Sequence, residues 1–179
     1  MIIELPNFVP LQTVDRFKND LLPFLKKPAD FYESYRDGLT VNITLTPELK
    51  YLDEELHNIF SSLQKKVVAQ RYKPEYDSAD SGYEFHRYPP GAICHNHYDG
   101  QFMNGFIRYA SVVLHLNTVE DGGDLVFPNQ NKHVKTEAGK IVVFPPYGMF
   151  EHYTTPAKVD RDVIVCWFVY DRVTSCPKQ

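Results

Sequence analysis

Cysteine and long apolar runs are scarce in this chain of 179 residues. Its three cysteines, Cys94, Cys166 and Cys176, are too few and too scattered for a disulfide framework or a cysteine-ligated zinc site. The longest apolar run, Val163 to Tyr170, has eight residues. A helix that spans a membrane needs roughly 20. These shortages exclude a disulfide-stabilised scaffold and a helical membrane protein.

Positive charge is limited as well. Lys and Arg number 19 against 23 Asp and Glu, which gives a formal net charge of −4 at pH 7. An acidic chain offers no electrostatic surface for phosphate backbones, so we expect no nucleic-acid partner. Glu4 and Pro6 interrupt the N-terminus before an apolar signal-peptide core could form, which predicts a cytoplasmic protein without a membrane partner.

Two helical patterns stand in the first part of the chain. Apolar residues recur at helical spacing over 14–25, which predicts one short helix. A second helix is expected from Thr46 as its cap and Pro47 as its first residue to about Ala69. We interpret residues 1–70 as a helical buttress whose apolar stripes pack against a sheet.

The rest of the chain has the texture of short strands, with β-branched runs broken by many of the 13 prolines and 9 glycines. The predicted strands are 1–5, 82–88, 93–98, 106–116, 124–127, 140–144, 149–153 and 162–170. Because length and composition favour a single domain, we predict that residues 1–179 form one unit. The expected fold is mainly β with N-terminal helices (α+β), and residues 72–171 form a jelly-roll or cupin-like core.

Three residues have the chemistry of a metal site. His97 and Asp99 lie two apart in a predicted strand, so both side chains point to the same face. A His-x-Asp triplet alone also fits a solvated surface strand. His152, which follows 53 residues after Asp99 between Pro146 and Pro156, would complete a face of two imidazoles and one carboxylate.

Such a face leaves coordination positions open on an octahedral metal, as in the non-haem Fe(II) oxygenases. Zinc also accepts two histidines and one carboxylate, so the residues leave both ions open. His95 would share this face in a regular strand, and we assign it a minor role.

A second charged feature lies nine residues beyond His152. Strand alternation places Arg161 on one apolar face with Val163 and Val165. A guanidinium inside a barrel is costly unless it meets an anion, and its planar fork suits a carboxylate. The alternative is an internal ion pair. The candidate acidic partners for such an ion pair are Asp124, Asp160 and Asp162.

Two polar residues occupy another strand. Alternation puts Ser111 and His115 on one face, together with Tyr109 and Val113. If that face is the interior, a hydroxyl and an imidazole lie near the same anion. The alternative is that both are ordinary hydrogen-bonded groups at the end of a barrel.

These features, in this order, resemble the prolyl 4-hydroxylase-like branch of the Fe(II)/2-oxoglutarate-dependent dioxygenases. The resemblance covers roughly 83–171, about half of the chain. It implies a double-stranded β-helix fold. The spaced elements that carry it are Tyr88-Pro-Pro-Gly91, His97-x-Asp99, Arg108-x-x-Ser111-x-x-x-His115-Leu116-Asn117, Gly122-Gly123-Asp124-Leu125, Gly139-Lys-x-x-x-Phe144, His152, Arg161 and Trp167.

Roles for individual residues follow from this resemblance. His97, Asp99 and His152 look like the catalytic iron triad. Arg161 looks like the residue that pairs with the distal carboxylate of 2-oxoglutarate. The further cosubstrate contacts that the resemblance implies are Tyr88, Ser111, His115 and Trp167.

The implied enzyme is an oxidoreductase that hydroxylates a C–H bond while it decarboxylates 2-oxoglutarate to succinate. Its cofactors would be Fe(II), 2-oxoglutarate and dioxygen, with ascorbate as a further candidate. The implied substrate is a prolyl residue of a peptide or protein, and a free amino acid stays open. Trp167 stands where nucleic-acid demethylating relatives carry a second arginine, which argues against repair of alkylated bases.

A metal-binding cupin-like module or sensor without oxygenase activity is the alternative to the hydroxylase. Arg161 separates the two, because a pure metal module has no need of a guanidinium placed for a dicarboxylate.

Aromatic residues near the predicted loops are a candidate substrate lid. They could grip a proline ring or an extended peptide, although aromatic side chains near loops more often pack inside. These residues are Tyr76, Tyr83, Tyr98, Phe102 and Phe106.

Overall fold

The structure of the chain, a computed structural model, describes residues 1–26, 36–72, 78–100, 102–103 and 105–170. Tyr76, Cys176 and the end of the predicted core at 171 lie outside these ranges. The helices are α1 (Leu11–Leu21), α2 (Lys50–Leu63) and α3 (Ala69–Tyr72). The strands are β1 (Ile3–Leu5), β2 (Leu39–Asn42), β3 (Ser78–Asp80), β4 (Glu84–Tyr88), β5 (Phe102–Met103), β6 (Phe106–His115), β7 (Leu125–Phe127), β8 (Lys132–Val134), β9 (Ile141–Phe144), β10 (Tyr153–Thr154) and β11 (Arg161–Tyr170).

Both predicted helices are present. The first ends in a 3-10 turn over Leu22–Phe24. The second begins as a 3-10 turn at Pro47, and a π-helical turn over Gln64–Val68 joins α2 to α3. Thr46 occupies the predicted N-cap position before Pro47, but its hydroxyl makes no capping hydrogen bond. Its hydroxyl donates instead to the carbonyl oxygen of Asn42 at 2.6 Å.

The strands form one large and one small antiparallel sheet. The large sheet has the order β1-β9-β6-β11-β4-β2, and β3 and β5 pair with β11 and β6. The small sheet has the order β10-β7-β8. Because β1 and β2 join the large sheet, the segment 1–70 supplies strands as well as the helical buttress.

Two apolar cores hold three layers together. Leu21 of α1 and Leu56 of α2 pack with Leu114 of the large sheet in the first core, on the helical side. The second core lies on the opposite face, where Phe127 of the small sheet packs with Val163 of the large one. Apolar alternation along β6 and β11 therefore serves both faces, as expected for a sheet buried on two sides.

The predicted strand over 93–98 is wrong. This segment crosses from the large sheet to the small one, so it forms only two isolated bridges, Arg36 with Cys94 and His97 with His152. The segment predicted as a strand over 149–153 begins instead as a 3-10 turn, Gly148–Phe150.

A bulge in β6 corrects the predicted face of Tyr109. Phe168 of β11 pairs with Ala110, but the next residue pairs with Arg108, so Tyr109 is skipped. Its hydroxyl turns to the helical side, where it accepts from Gln64 Nε2 at 2.9 Å. None of the helices within the described ranges has the length and apolar character needed to cross a bilayer.

Candidate metal and cosubstrate site

Two distant segments bring three ligand side chains together. The backbones of His97 and His152 exchange two hydrogen bonds, of 3.0 and 2.8 Å. Asp99 follows on the first segment, and its Oδ1 lies 3.4 Å from His97 Nε2 and 3.9 Å from His152 Nε2. The three ligand atoms lie within 4.8 Å of one another, which is the spacing that one shared cation requires.

Hydrogen bonds prepare each ligand atom. His97 Nδ1 donates to the carbonyl oxygen of His95 at 2.8 Å, and His152 Nδ1 donates to that of Phe150 at 3.1 Å. With a cation in the cluster, both rings would therefore carry their proton on Nδ1 and turn the Nε2 lone pair towards it. The hydroxyl of Ser111 donates to Asp99 Oδ2 at 2.5 Å, which leaves Oδ1 for a cation.

The electrostatics of the cluster favour positive charge at this point. Burial raises the pKa of Asp99, but the two imidazoles and the Ser111 hydrogen bond outweigh it, and the pKa falls below its usual range. For His97, burial lowers the pKa, but hydrogen bonds to Asp99 and Cys94 outweigh it and raise the pKa to about 10. The metal-free protein thus holds a proton where a cation would bind.

The donor set fits Fe(II). Two neutral imidazoles and one carboxylate occupy one face of the ion and leave the other positions for ligands that react. Structural zinc sites, in contrast, are usually closed by a fourth protein ligand. Among the residues that the structure describes, no other group of three His, Cys, Asp or Glu side chains could hold a metal ion.

Arg161 lies in the same cavity and is 4% exposed. Its Nε donates to the Thr136 hydroxyl at 3.3 Å, and its guanidinium carbon lies 5.3 Å from the centre of the Tyr88 ring. Burial lowers its pKa below the ordinary value of an arginine, and neighbouring groups including Tyr88 and Cys94 act in the opposite direction. Arginine nevertheless stays charged in proteins, so a buried cation faces the cavity.

The acidic residues that could have paired with Arg161 are engaged elsewhere. Asp162 binds Arg87 through two hydrogen bonds of 2.7 Å, and Asp160 lies 3.1 Å from the same guanidinium. Asp124 binds Lys135 at 3.0 Å. Within the described part of the chain, no carboxylate lies within 4.0 Å of Arg161. Its burial without such a partner therefore favours an anionic ligand in the cavity.

Of the remaining predicted contacts, Tyr88, Ser111 and Trp167 line the cavity, whereas His115 is not among its lining residues. Tyr88 lies beside Arg161, and burial raises the pKa of its hydroxyl. His115 is fully buried, and neither ring nitrogen has a hydrogen-bond partner among the described residues. Ser111 and Trp167 lie opposite each other in β6 and β11, at the metal end.

A protein-family model matches the part of the chain that contains this site. Residues 83–169 match the model of the 2OG-Fe(II) oxygenase superfamily, and this range contains the three ligands and Arg161. Residues 83–169 therefore belong to this superfamily. A search of curated proteins gives no match.

Solved structures of prolyl hydroxylases share the fold of this oxygenase. The viral collagen prolyl hydroxylase of Paramecium Bursaria Chlorella virus-1, in its 2OG complex, has 18% identity and a TM-score of 0.72, with 94% of this chain and 96% of that chain covered. A Pseudomonas putida prolyl-4-hydroxylase has 23% identity and a TM-score of 0.66, covering 94% and 92%. The prolyl hydroxylase from Trichoplax adhaerens, in complex with a hypoxia inducible factor peptide fragment, has 17% identity and a TM-score of 0.71, covering 98% and 87%. The predicted double-stranded β-helix fold and the assignment to the 2-oxoglutarate-dependent dioxygenases are confirmed.

Sequence patterns assign no function to two arginines of the oxygenase site. Arg108 donates to the backbone carbonyl of Asp99 at 2.8 Å, and its guanidinium carbon lies 3.9 Å from the centre of the Trp167 ring. If β6 were regular, the alternation of side chains from Ser111 would place the Arg108 side chain on the helical side of the sheet. The bulge at Tyr109 turns it to the metal side instead. Arg36 lines the cavity, and no motif in the sequence marks it.

His86 connects this second arginine to a carboxylate. Arg36 Nη1 donates to His86 Nδ1 at 2.7 Å, and His86 Nε2 lies 3.3 Å from Glu84 Oε2. The strand β4 buries this ring completely. Burial and the charge of Arg36 outweigh the attraction of Glu84 and lower the pKa of His86 to about 4.

The free energy of unfolding should therefore depend on pH through His86. Between pH 6.5 and about 4 the unfolded chain binds a proton that the folded protein excludes, so stability falls as the pH falls. The expected loss from this residue is roughly 3 kcal/mol over that window. Urea unfolding of metal-free His86→Gln should show a flatter pH dependence than the wild-type protein. Identical slopes would contradict the assignment.

Proposed function

We propose that this oxygenase uses dioxygen to hydroxylate a prolyl residue of a peptide or protein while 2-oxoglutarate loses carbon dioxide and becomes succinate. One oxygen atom enters each of the two products. The buried guanidinium of Arg161, without a carboxylate of the described chain near it, carries the proposal. A site that bound only a metal would have no use for this cation. The names of the structural neighbours support a prolyl substrate, and one neighbour was solved with a peptide.

Each residue has a defined task in this proposal. His97 Nε2, Asp99 Oδ1 and His152 Nε2 hold Fe(II), and Ser111 keeps the carboxylate oriented. Arg161 takes the distal carboxylate of 2-oxoglutarate. When bound, Fe(II) and 2-oxoglutarate supply the redox chemistry that activates dioxygen.

His115 is the proposed second donor to this carboxylate. Burial lowers its pKa well below 6.5, and the nearby cations Arg161 and Lys140 act in the same direction. The ring is therefore neutral and carries one N–H that can donate to an anion. Val113 and Val163 form an apolar wall that excludes water, which strengthens the pairing of charges in the cavity.

Succinate formation tests the proposal directly. The protein is first loaded with Fe(II) under anaerobic conditions. It is then mixed with 2-oxoglutarate, ascorbate and proline-containing peptides, and oxygen is admitted. We expect succinate together with a peptide mass gain of about 16 Da, the mass of one oxygen atom. Zinc-loaded protein is the control and should form neither product. A Fe(II)-loaded protein that binds metal but forms no succinate would favour the metal-binding module instead.

A further inference from the structure

Two irregularities of the backbone meet on the helical side of the large sheet. One is the π-helical turn Gln64–Val68 that follows α2, and the other is the bulge at Tyr109 in β6. Gln64 Nε2 donates to the Tyr109 hydroxyl at 2.9 Å and to the Ser78 hydroxyl of β3 at 2.8 Å. Because π-helical turns and β-bulges are frequent near functional sites, a contact between the two indicates more than packing.

The bulge keeps the Tyr109 side chain out of the metal cavity. In a regular strand, Tyr109 would share the face of Ser111, which is two residues further on. Its ring is instead stacked on that of Tyr170, with centroids 4.5 Å apart, and the residue is 3% exposed. A buried hydroxyl needs a hydrogen-bond partner, and Gln64 supplies one on the helical side. The Gln64 amide therefore favours the bulged form of β6 over the regular one.

The effect of the bulge lies on the opposite face, at the metal ligand Asp99. Arg108 and Ser111 are three residues apart, so a regular strand would turn their side chains to opposite faces. With Tyr109 as the extra residue, both side chains reach Asp99. Arg108 donates to its backbone carbonyl at 2.8 Å, and Ser111 donates to its Oδ2. The bulge thus lets two side chains of one strand hold the backbone and the carboxylate of the same ligand.

Arg108 is enclosed in this position. The residue is 5% exposed, and its guanidinium carbon lies 3.9 Å from the centre of the Trp167 ring. In a regular β6 the guanidinium would enter the apolar core between the sheet and the helices, where a buried charge is costly. Loss of the bulge would therefore withdraw Arg108 from Asp99 and uncover the face of Trp167. Since Trp167 is the single tryptophan of the chain, its fluorescence reports on this change.

We propose that Gln64 and Tyr109 are positioning residues for the metal site. Both lie on the helical side of the sheet, and they act through the bulge that brings Arg108 to Asp99. Hydrogen-bond partners of metal ligands typically change metal affinity or activity by ~10–100-fold, and this contact holds such a partner in place. The proposal rests on the proposed function only for its effect on hydroxylation, because metal binding is measured without turnover.

The variants Tyr109→Phe and Gln64→Leu, alone and combined, test this proposal. Phenylalanine removes only the hydroxyl and keeps the ring that stacks on Tyr170. The matched control is Tyr83→Phe, which also removes a buried tyrosine hydroxyl on the helical side. This hydroxyl donates to Asp80 Oδ2 at 2.8 Å, and the residue is 1% exposed. Tyr83 therefore belongs to the core, whereas the sequence suggested it for a substrate lid.

Four measurements separate positioning from folding. Titration with Mn(II), followed by electron paramagnetic resonance, gives the metal Kd. Quenching of Trp167 fluorescence by acrylamide in the metal-free proteins shows whether Arg108 still covers the ring. Urea unfolding gives the stability of each variant, and succinate formation by the Fe(II)-loaded proteins gives the turnover.

Each single variant should raise the Mn(II) Kd by about tenfold and increase the quenching of Trp167. Because Gln64 and Tyr109 share one hydrogen bond, the double variant should also lose about tenfold, whereas two independent effects would multiply to about 100-fold. Tyr83→Phe should lose stability and keep the wild-type Kd and quenching.

Wild-type Mn(II) affinity in both single variants would overturn the proposal. A multiplied loss in the double variant would do the same. So would an equal loss of affinity in Tyr83→Phe, because general loosening of the helical side would then explain the effect. If the wild type binds Mn(II) but forms no succinate, the proposed function fails, and the metal affinities still decide whether Gln64 and Tyr109 position the site.

Discussion

Replacing His97 with alanine is expected to abolish metal binding, whereas replacing His95 should preserve it. The two histidines are two residues apart, but their side chains differ in surroundings. His97 Nε2 lies 3.4 Å from Asp99 Oδ1 inside the ligand cluster. The side chain of His95 is 48% exposed and lies 3.4 Å from Asp37. The position of His95 matters to the cluster only through its backbone carbonyl, which the substitution keeps.

Losing the hydrogen-bond partner of a metal ligand typically costs ~10–100-fold in affinity or activity, so losing the ligand itself should cost at least about 10³-fold. Titration with Mn(II), followed by electron paramagnetic resonance, measures binding without any need for turnover. Hydroxylation of the peptide by the Fe(II)-loaded proteins gives the second measurement. Equal Mn(II) affinities for His97→Ala and His95→Ala would show that the cluster does not hold the ion.

The sequence could predict the cluster of His97, Asp99 and His152 because each of these residues lies in a short, recognisable sequence pattern. The His-x-Asp triplet needs only two neighbouring residues, and His152 follows within a segment bounded by two prolines. The structure brings these side chains together, but not through the predicted strand. The segment over 93–98 forms isolated bridges, and the shared face arises from the pairing of His97 with His152.

Other parts of the site depend on contacts that no periodicity shows. Arg108 reaches Asp99 because a bulge at Tyr109 exchanges the two faces on which the side chains of β6 alternate. No pattern of apolar residues in the sequence predicts such a bulge. The strands β2, β3, β5 and β8, of two to four residues each, lie outside the predicted strands.

His86 illustrates the same limit for buried polar residues. A histidine in a strand is predicted to be solvated unless its partners are known. Its partners here, Arg36 and Glu84, come from a distant segment and from the same strand. The pairing of β2 with β4 fixes the surroundings of the ring, and this pairing depends on the tertiary fold.

Arg161→Met is expected to weaken 2-oxoglutarate binding by about 100-fold or more, because removing one partner of a buried charge pair costs about 2–5 kcal/mol. The same change should not reduce the stability of the ligand-free protein. Arg161 is buried without a carboxylate within 4.0 Å in the described part of the chain, so the free protein bears the cost of burying its charge. Methionine keeps much of the side-chain volume and removes that charge.

Arg87→Met is the matched control, because this arginine belongs to the strand next to β11 and is engaged with acids. Its guanidinium binds Asp162 at 2.7 Å and Asp160 at 3.1 Å. Removing it would leave the buried carboxylate of Asp162 without its cation, so the free energy of unfolding should fall by roughly 3 kcal/mol. Binding of 2-oxoglutarate to the folded variant should stay near the wild-type value.

The two variants therefore separate binding from folding. Calorimetric titration of the Mn(II)-loaded proteins with 2-oxoglutarate gives the affinities, and urea unfolding of the metal-free proteins gives the stabilities. Arg161→Met should lose affinity and keep its stability, and Arg87→Met should do the reverse. If Arg161→Met unfolds at lower urea than the wild type yet binds 2-oxoglutarate equally well, Arg161 is a structural residue. The distal carboxylate of 2-oxoglutarate would then be bound by groups other than Arg161.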